Sequence, residues 1–88
     1  MQFEWDESKA RANLKKHRVS FEEAQTVFDN TLAMIFDDEV HSFGEKREII
    51  IGHSRINRLL LISFTLRHDA IRIISARLAT RWEREDYE

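Results

Sequence analysis

Four arginines crowd one short stretch, RIISARLATRWERE, in which Arg72, Arg77, Arg81 and Arg84 are spaced by mostly apolar residues. The guanidinium is planar, permanently charged, and presents a fork of donors matched to carboxylate or phosphate. Such a cluster serves surface ion pairs in the bland reading and an anion site in the sharper one. Nearby in sequence stand Ser63, Thr65 and Arg67, and a polar loop supplies His41, Glu45 and Arg47. Together these types suffice for cleavage of a phosphodiester beside a free hydroxyl. A base takes the proton of the attacking 2′-hydroxyl, cations stabilise the charge growing on the phosphate oxygens, and an acid protonates the leaving oxygen. Arginine fills the middle role without a metal or any other cofactor.

The formal charge of −2 argues against nucleic acid until its distribution is considered. Residues 1–45 carry 5 Lys/Arg against 10 Asp/Glu, whereas residues 46–84 carry 9 against 3. All but Lys46 of those later cations are arginine. A basic half beside an acidic half is the asymmetry of an anion binder.

Other chemistries lack their residues. His17, His41, His53 and His68 are scattered and there is no cysteine, so the spacing of a metal site is missing. No G-x-S-x-G elbow or glycine-rich phosphate loop occurs. The pairs Asp37-Asp38 and Glu22-Glu23 read as a loop and a helix surface, and Trp5 and Trp82 as core or interface anchors. The first ten residues lack the basic and apolar regions of a signal peptide, and the runs EIIIG and RLLLISF are too short to span a bilayer, so a cytoplasmic protein with no membrane partner is expected.

The elements that must position these residues are legible in outline. QFEW suits an edge strand. DESKARANLKKH suits a helix capped by Asp6, with Ala10, Leu14 and His17 as its inward stripe. VSFEEAQTVFDN restarts a helix with a capping box, Ser20 with Glu23, and Phe21, Ala24, Val27 and Phe28 on one face. TLAMIFDD, REIIIGH, RLLLISFTL and AIRIISARLA read as four strands joined by short polar connections. Thr80 and Glu83 open a final short helix with a second capping box. The expectation over residues 1–88 is one α+β domain, a small antiparallel sheet with two N-terminal helices packed on one face and a short C-terminal helix.

A two-residue turn at His68-Asp69 sets Thr65 opposite Arg72. One face then shows Ser63, Thr65, Arg67, Arg72 and Ile74, and the other buries Ile62, Phe64, Leu66, Ile71 and Ile73. Strict alternation sends Arg77 to the buried side, unless a bulge or the turn into the helix redirects it.

The motifs FEWDESKARANLKKH, VSFEEAQTVFDN, HSFGEKREIIIGHS, RLLLISFT and AIRIISARLATRWEREDYE resemble the BrnT family of bacterial toxins across nearly the whole chain. The resemblance implies a RelE-like ribonuclease fold and a role in a type II toxin–antitoxin pair. It implies RNA cleavage that stops translation, with RNA as substrate and the ribosome as a candidate partner. It further implies a BrnA-like antitoxin that binds the toxin and represses their shared promoter, so that DNA is reached only through the antitoxin. Matching positions are Glu45, Arg47, Arg72, Arg77, Arg81 and Glu83. Arg72 and Arg77 are the candidate phosphate contacts, Glu45 or His41 the base or acid, and Arg47, Arg67 and Arg81 further RNA-binding candidates. One departure is Arg18, where the family usually has a glycine able to end the first helix in a left-handed conformation. The rival reading is a noncatalytic module whose arginine-rich sheet face docks nucleic acid or an acidic protein.

Overall fold

The two-residue turn at His68-Asp69 forms as expected, with Arg67 paired to Ala70 and Thr65 to Arg72. His68 takes a positive φ of 53°, the conformation that a tight hairpin of this length requires. In the computed structural model, which describes residues 2–88, this hairpin is the centre of a five-stranded sheet. The chain runs β1 (Gln2–Glu4), α1 (Glu7–His17), α2 (Phe21–Thr26) with a 3-10 turn (Val27–Asp29), β2 (Met34–Asp37), a second 3-10 turn (Glu39–His41), β3 (Glu48–His53), β4 (Leu59–Arg67), β5 (Ala70–Leu78) and α3 (Arg81–Tyr87). Strand order is β1-β5-β4-β3-β2.

The sheet is mixed, which corrects the expectation of a wholly antiparallel one. β1 runs parallel to β5, with Phe3 beside Ile71 and Glu4 beside Arg72, while all other pairs are antiparallel. The cause is the connection. β2, β3, β4 and β5 follow one another through ten, five and two residues, too few for a parallel crossover, so direction reverses three times. The helices after β1 lead to β2 at the far edge, running opposite to β1, and the third reversal brings β5 beside β1 in the same direction.

α1 and α2 cover one face. Val19, Phe21, Ala24 and Val27 pack there against Ile50, Leu60, Ile62, Phe64, Ile71, Ile73 and Ala76. Phe28 sets its edge against Phe3 and Phe64 at 5.2 and 5.1 Å, and Trp5 meets Phe21 at 5.9 Å. Trp82, by contrast, stands 73% exposed. Two expected core residues also stand in solvent, Leu14 at 48% and Leu66 at 61% exposed. Leu66 lies near the hairpin tip, and on α1 the inward residue is Asn13 in place of Leu14. The short C-terminal helix, α3, packs apart from α1 and α2. Glu83, Asp86 and Tyr87 line a groove with Met34, Phe36, Ile49, Ile51 and Leu61, on the face away from α1 and α2.

The helix ends follow local chemistry. Asp6 and Ser20 accept from the amides of Lys9 and Glu23. Arg18 adopts the left-handed conformation, φ 59° and ψ 30°, and donates its N–H to Leu14 O. An arginine there costs about 1–2 kcal/mol relative to glycine, and the left-handed turn forms nonetheless. Gly52 has the opposite need: a Cβ would lie 2.7 Å from Ala33 Cβ, so only glycine lets β3 pass that close to the segment entering β2.

Candidate functional site

The pairing of β4 with β5 slips by one residue between Ser63 and Phe64. Ser63 faces Ser75 and Phe64 faces Ile73, which leaves Ile74 as the extra residue of a bulge. Its consequence is a change of parity. Without it, Arg77 points at the helices; with it, Arg77 sits opposite Leu61 on the same face as Arg72 opposite Thr65. Counting the bulge as one step, the two arginines stand about 13 Å apart along the strand. Arg67, two residues beyond Thr65 on β4, shares this face.

Each of these arginines meets a carboxylate of its own chain. Arg72 Nη1 donates to Glu4 Oε2 at 2.8 Å, across the parallel pair. Arg77 grips Glu83 through two bonds, at 2.8 and 2.9 Å. Arg67 Nε lies 3.5 Å from Glu45 Oε2. Arg81 pairs with Glu85 one helical turn on and is mostly exposed. Arg67, Arg72, Arg77 and Arg81 thus each meet a carboxylate, the arrangement that the bland reading expects. Arg47, Arg84 and the α1 cations Lys9, Arg11, Lys15 and Lys16 differ, since none has an ion pair among the described residues.

Glu83 is the most constrained acid of the set. It completes the capping box of α3, accepting from Thr80 N while Thr80 Oγ1 accepts from Glu83 N. The Arg77 guanidinium, with help from that amide, lowers its pKa from 4.5 to about 2. Arg77 is in turn pushed above its ordinary value by the same partner.

The loop after β2 reaches the same face through backbone. Thr65 is buried, and its Oγ1 donates to Lys46 O at 2.7 Å, while Ser42 Oγ accepts from Arg47 N. Glu45 is thereby brought beside Arg67. His41 is not brought to β5 by any bond: its Nδ1 lies 3.0 Å from Asp38 Oδ2, within its own turn. Arg67, Arg72 and Arg77 thus share one face, with Glu45 beside Arg67 at one end and Arg81 opening the helix whose Glu83 holds Arg77 at the other, while His41 stays in its own turn. Among the described residues no three His, Cys, Asp or Glu side chains gather to hold a metal ion.

Two polar groups organise this end of the sheet, Asn13, which the sequence reading passed over, and Glu23, which it read as a capping-box partner on the helix surface. Asn13 Nδ2 donates to Val19 O and Ala76 O, at 2.9 and 2.8 Å, and Ala76 N donates to Asn13 Oδ1 at 3.1 Å. Glu23 does not reach back to Ser20, as the first capping box implied. Its carboxylate binds Arg58 and Ser54 instead, and the Arg58 guanidinium holds it below the usual range. A lone buried-side Asn in α1 and a Glu three residues after Ser20 were the available signals.

Comparison with known proteins gives two findings. The model of a family described as "Ribonuclease toxin, BrnT, of type II toxin-antitoxin system" matches residues 5–83. Among solved structures, the fold is similar to the 1.1 Å crystal structure of the Brucella abortus ribonuclease toxin, BrnT. The two are 24% identical with a TM-score of 0.73, over 92% of this chain and 99% of that one. At that identity the likeness carries the fold alone. No curated protein is significantly similar in sequence.

Proposed function

Because the chain belongs to the BrnT family of type II ribonuclease toxins, we propose that it cuts RNA internally, using the arginine face of β4 and β5 in place of a metal. The 2′-hydroxyl gives its proton to the base and attacks the adjacent phosphate, the P–O5′ bond breaks, and the 5′-oxygen leaves with a proton supplied by the acid, His41 or a water molecule, which yields a 2′,3′-cyclic phosphate. Arg72 and Arg77 bind the phosphate and take up the charge that grows on its oxygens. One such donor is worth on the order of 10²–10³ in rate when removed. Glu45, beside Arg67, is the favoured base, and His41 reaches the site only through movement of its loop. Arg47 and Arg67 steer the strand, and Arg81 adds positive charge at the margin. Loss of messenger would stop translation, and a BrnA-like antitoxin would hold the toxin inactive, with promoter DNA contacted through that antitoxin.

The observation that carries this reading is the bulge at Ile74. It places Arg77 with Arg72 on one face, where alternation alone would have buried it. The ion pairs shape the chemistry. A phosphate must displace Glu4 from Arg72 and Glu83 from Arg77, an exchange of one charge-assisted partner for another. The same pairs favour the rival, a noncatalytic module in which the carboxylates simply hold the fold.

The test is incubation of the purified chain with a defined RNA in EDTA, beside the Arg72→Ala/Arg77→Ala variant. Cleavage with cyclic phosphate ends, lost by at least 10²-fold in a variant of unchanged circular dichroism, is the expected result. A folded parent that cuts neither free RNA nor messenger on translating ribosomes would instead select the binding module.

A further inference from the structure

β2 is the outer strand of the sheet, and all four of its residues are exposed. Three of them are large and apolar, with Met34 46%, Ile35 56% and Phe36 50% exposed. Met34 and Phe36 line the groove on the arginine side, and Ile35 lines the opposite one with Ile50, Phe64 and Leu66. The strand is thus apolar on both faces. Leu32 before it in sequence, and Val40 and Phe43 after it, are 74–84% exposed as well. Free edges are normally blunted by lysine, proline, a bulge or a covering element. β2 has none of these, and its one charge is Asp37 at the end.

The backbone is equally unpartnered. Asp38 N donates to Arg47 O at 2.9 Å, which fixes the phase of the ladder to β3. Met34 and Phe36 therefore bond inward, and the N–H and C=O of Ile35 and Asp37 point out. Ala33 N is taken by Asn30 O, which leaves the Ala33 carbonyl available.

We infer that this edge pairs with the same edge of a second copy of the chain, antiparallel about a two-fold axis at Ile35. The register is self-complementary. Ile35 and its copy exchange both hydrogen bonds, and Asp37 N–H of each chain donates to the Ala33 carbonyl of the other. Side chains then match by type: Met34 faces Phe36 of the second copy on one side, and Ile35 faces Ile35 on the other. Asp37 falls opposite Ala33, so no like charges meet. Shifting the axis by one residue to Phe36 would set Asp37 against Ile35, which is why the first register is preferred. The six exposed apolar side chains offer on the order of 600 Å² per copy, close to the ~800 Å² per partner of a standard interface. The arginines of β5 lie three strands from this joint.

The test is the mass of the chain alone in solution, by analytical ultracentrifugation over a range of micromolar concentrations. The parent is expected to sediment as a dimer, at twice the 10.5 kDa of one chain. Ile35→Pro removes only an outward N–H, and is expected to give a monomer with unchanged circular dichroism. A second variant reads the register directly. The chain has no cysteine, so in Ile35→Cys the only thiol lies on the two-fold axis, about 5.5 Å Cα to Cα from its copy, and mild oxidation should cross-link it. Asp37→Cys, with its copies roughly 13 Å apart, should not cross-link. A parent that is monomeric throughout, as expected if the edge serves a strand of another protein, overturns the inference. So does a dimer that survives Ile35→Pro, and cross-linking of Asp37→Cys at the rate of Ile35→Cys.

Discussion

The two edges of this sheet are finished in opposite ways. At β5 the outward groups of residues 70–72 pair with β1, and where β1 stops, Asn13 takes over. Its side-chain amide gives and accepts one bond each with Ala76, as a residue of a neighbouring strand would. At β2 nothing among the described residues performs that service, and the residues there are apolar on both faces. Burying a backbone group without a partner costs about 1–3 kcal/mol, so the covered edge is a fixed part of the fold. The open edge keeps its donors in water, where they cost nothing until something binds. An edge closed from within therefore reads as architecture, and one left apolar and open reads as a contact surface.

The sharpest way to break the comparison is one substitution made at both edges. Ala76→Pro removes the donor that Asn13 Oδ1 accepts and forces a ring into a fully buried position. A loss of about 3 kcal/mol or more is expected, enough to bring unfolding near ambient temperature. Ile35→Pro, measured at dilutions where the chain is monomeric, should move the thermal midpoint by less than about 4 °C. Equal losses at the two sites would mean that β2 is already covered. The next effect is smaller. Asn13→Ala strands the Ala76 N–H and C=O and one bond of Val19 O, for about 2–3 kcal/mol. That corresponds to a fall of roughly 10–20 °C in Tm for a domain of this size. A shift of only a few degrees would show that water replaces the amide, and that the covered edge is less dry than its geometry implies.

The contrast between the edges also marks what the sequence could and could not reveal. Turn chemistry is local, so the His68-Asp69 hairpin and the pairing of Thr65 with Arg72 were legible. So was the Thr80–Glu83 capping box, whose two bonds both form. The family was legible from motifs along most of the chain, and the model of that family matches residues 5–83. The direction of β1 was not legible, because a strand of three residues followed by helices carries no turn to set it. The role of Asn13 was hidden for a related reason. Periodicity counts apolar residues, so it chose Leu14 and passed over a polar side chain whose value lies in two partners 6 and 63 residues away. The arginines were identifiable as a cluster. Their carboxylate partners were not, since Glu4 reaches Arg72 only once β1 has docked beside β5. The bulge at Ile74, on which the placement of Arg77 depends, was foreseen only as one possible way of turning that residue.

The smallest effect concerns the end of β5 at which Asn13 works, and it tests whether Arg77 is held by the fold or merely parked against it. Glu83 has a folded pKa of about 2 against 4.5 in the reference state. Its carboxylate is therefore stabilised in the native chain, and the contribution is fully present above pH 4.5. It fades as pH falls toward 2, where the native group also takes up a proton. Arg77 is charged throughout that window, so the titration belongs to Glu83. The pair is partly open to solvent, with side-chain exposures of 37% and 28%, so about 1–2 kcal/mol is the reasonable size after screening. Urea unfolding at pH 6 and at pH 3 should show that difference in the parent, beyond what Glu83→Gln shows. In the variant, Arg77 keeps a neutral acceptor but loses the titrating one. If the two chains lose stability in parallel between those pH values, the Arg77–Glu83 contact is a loose surface pair, and a phosphate could displace it at almost no cost.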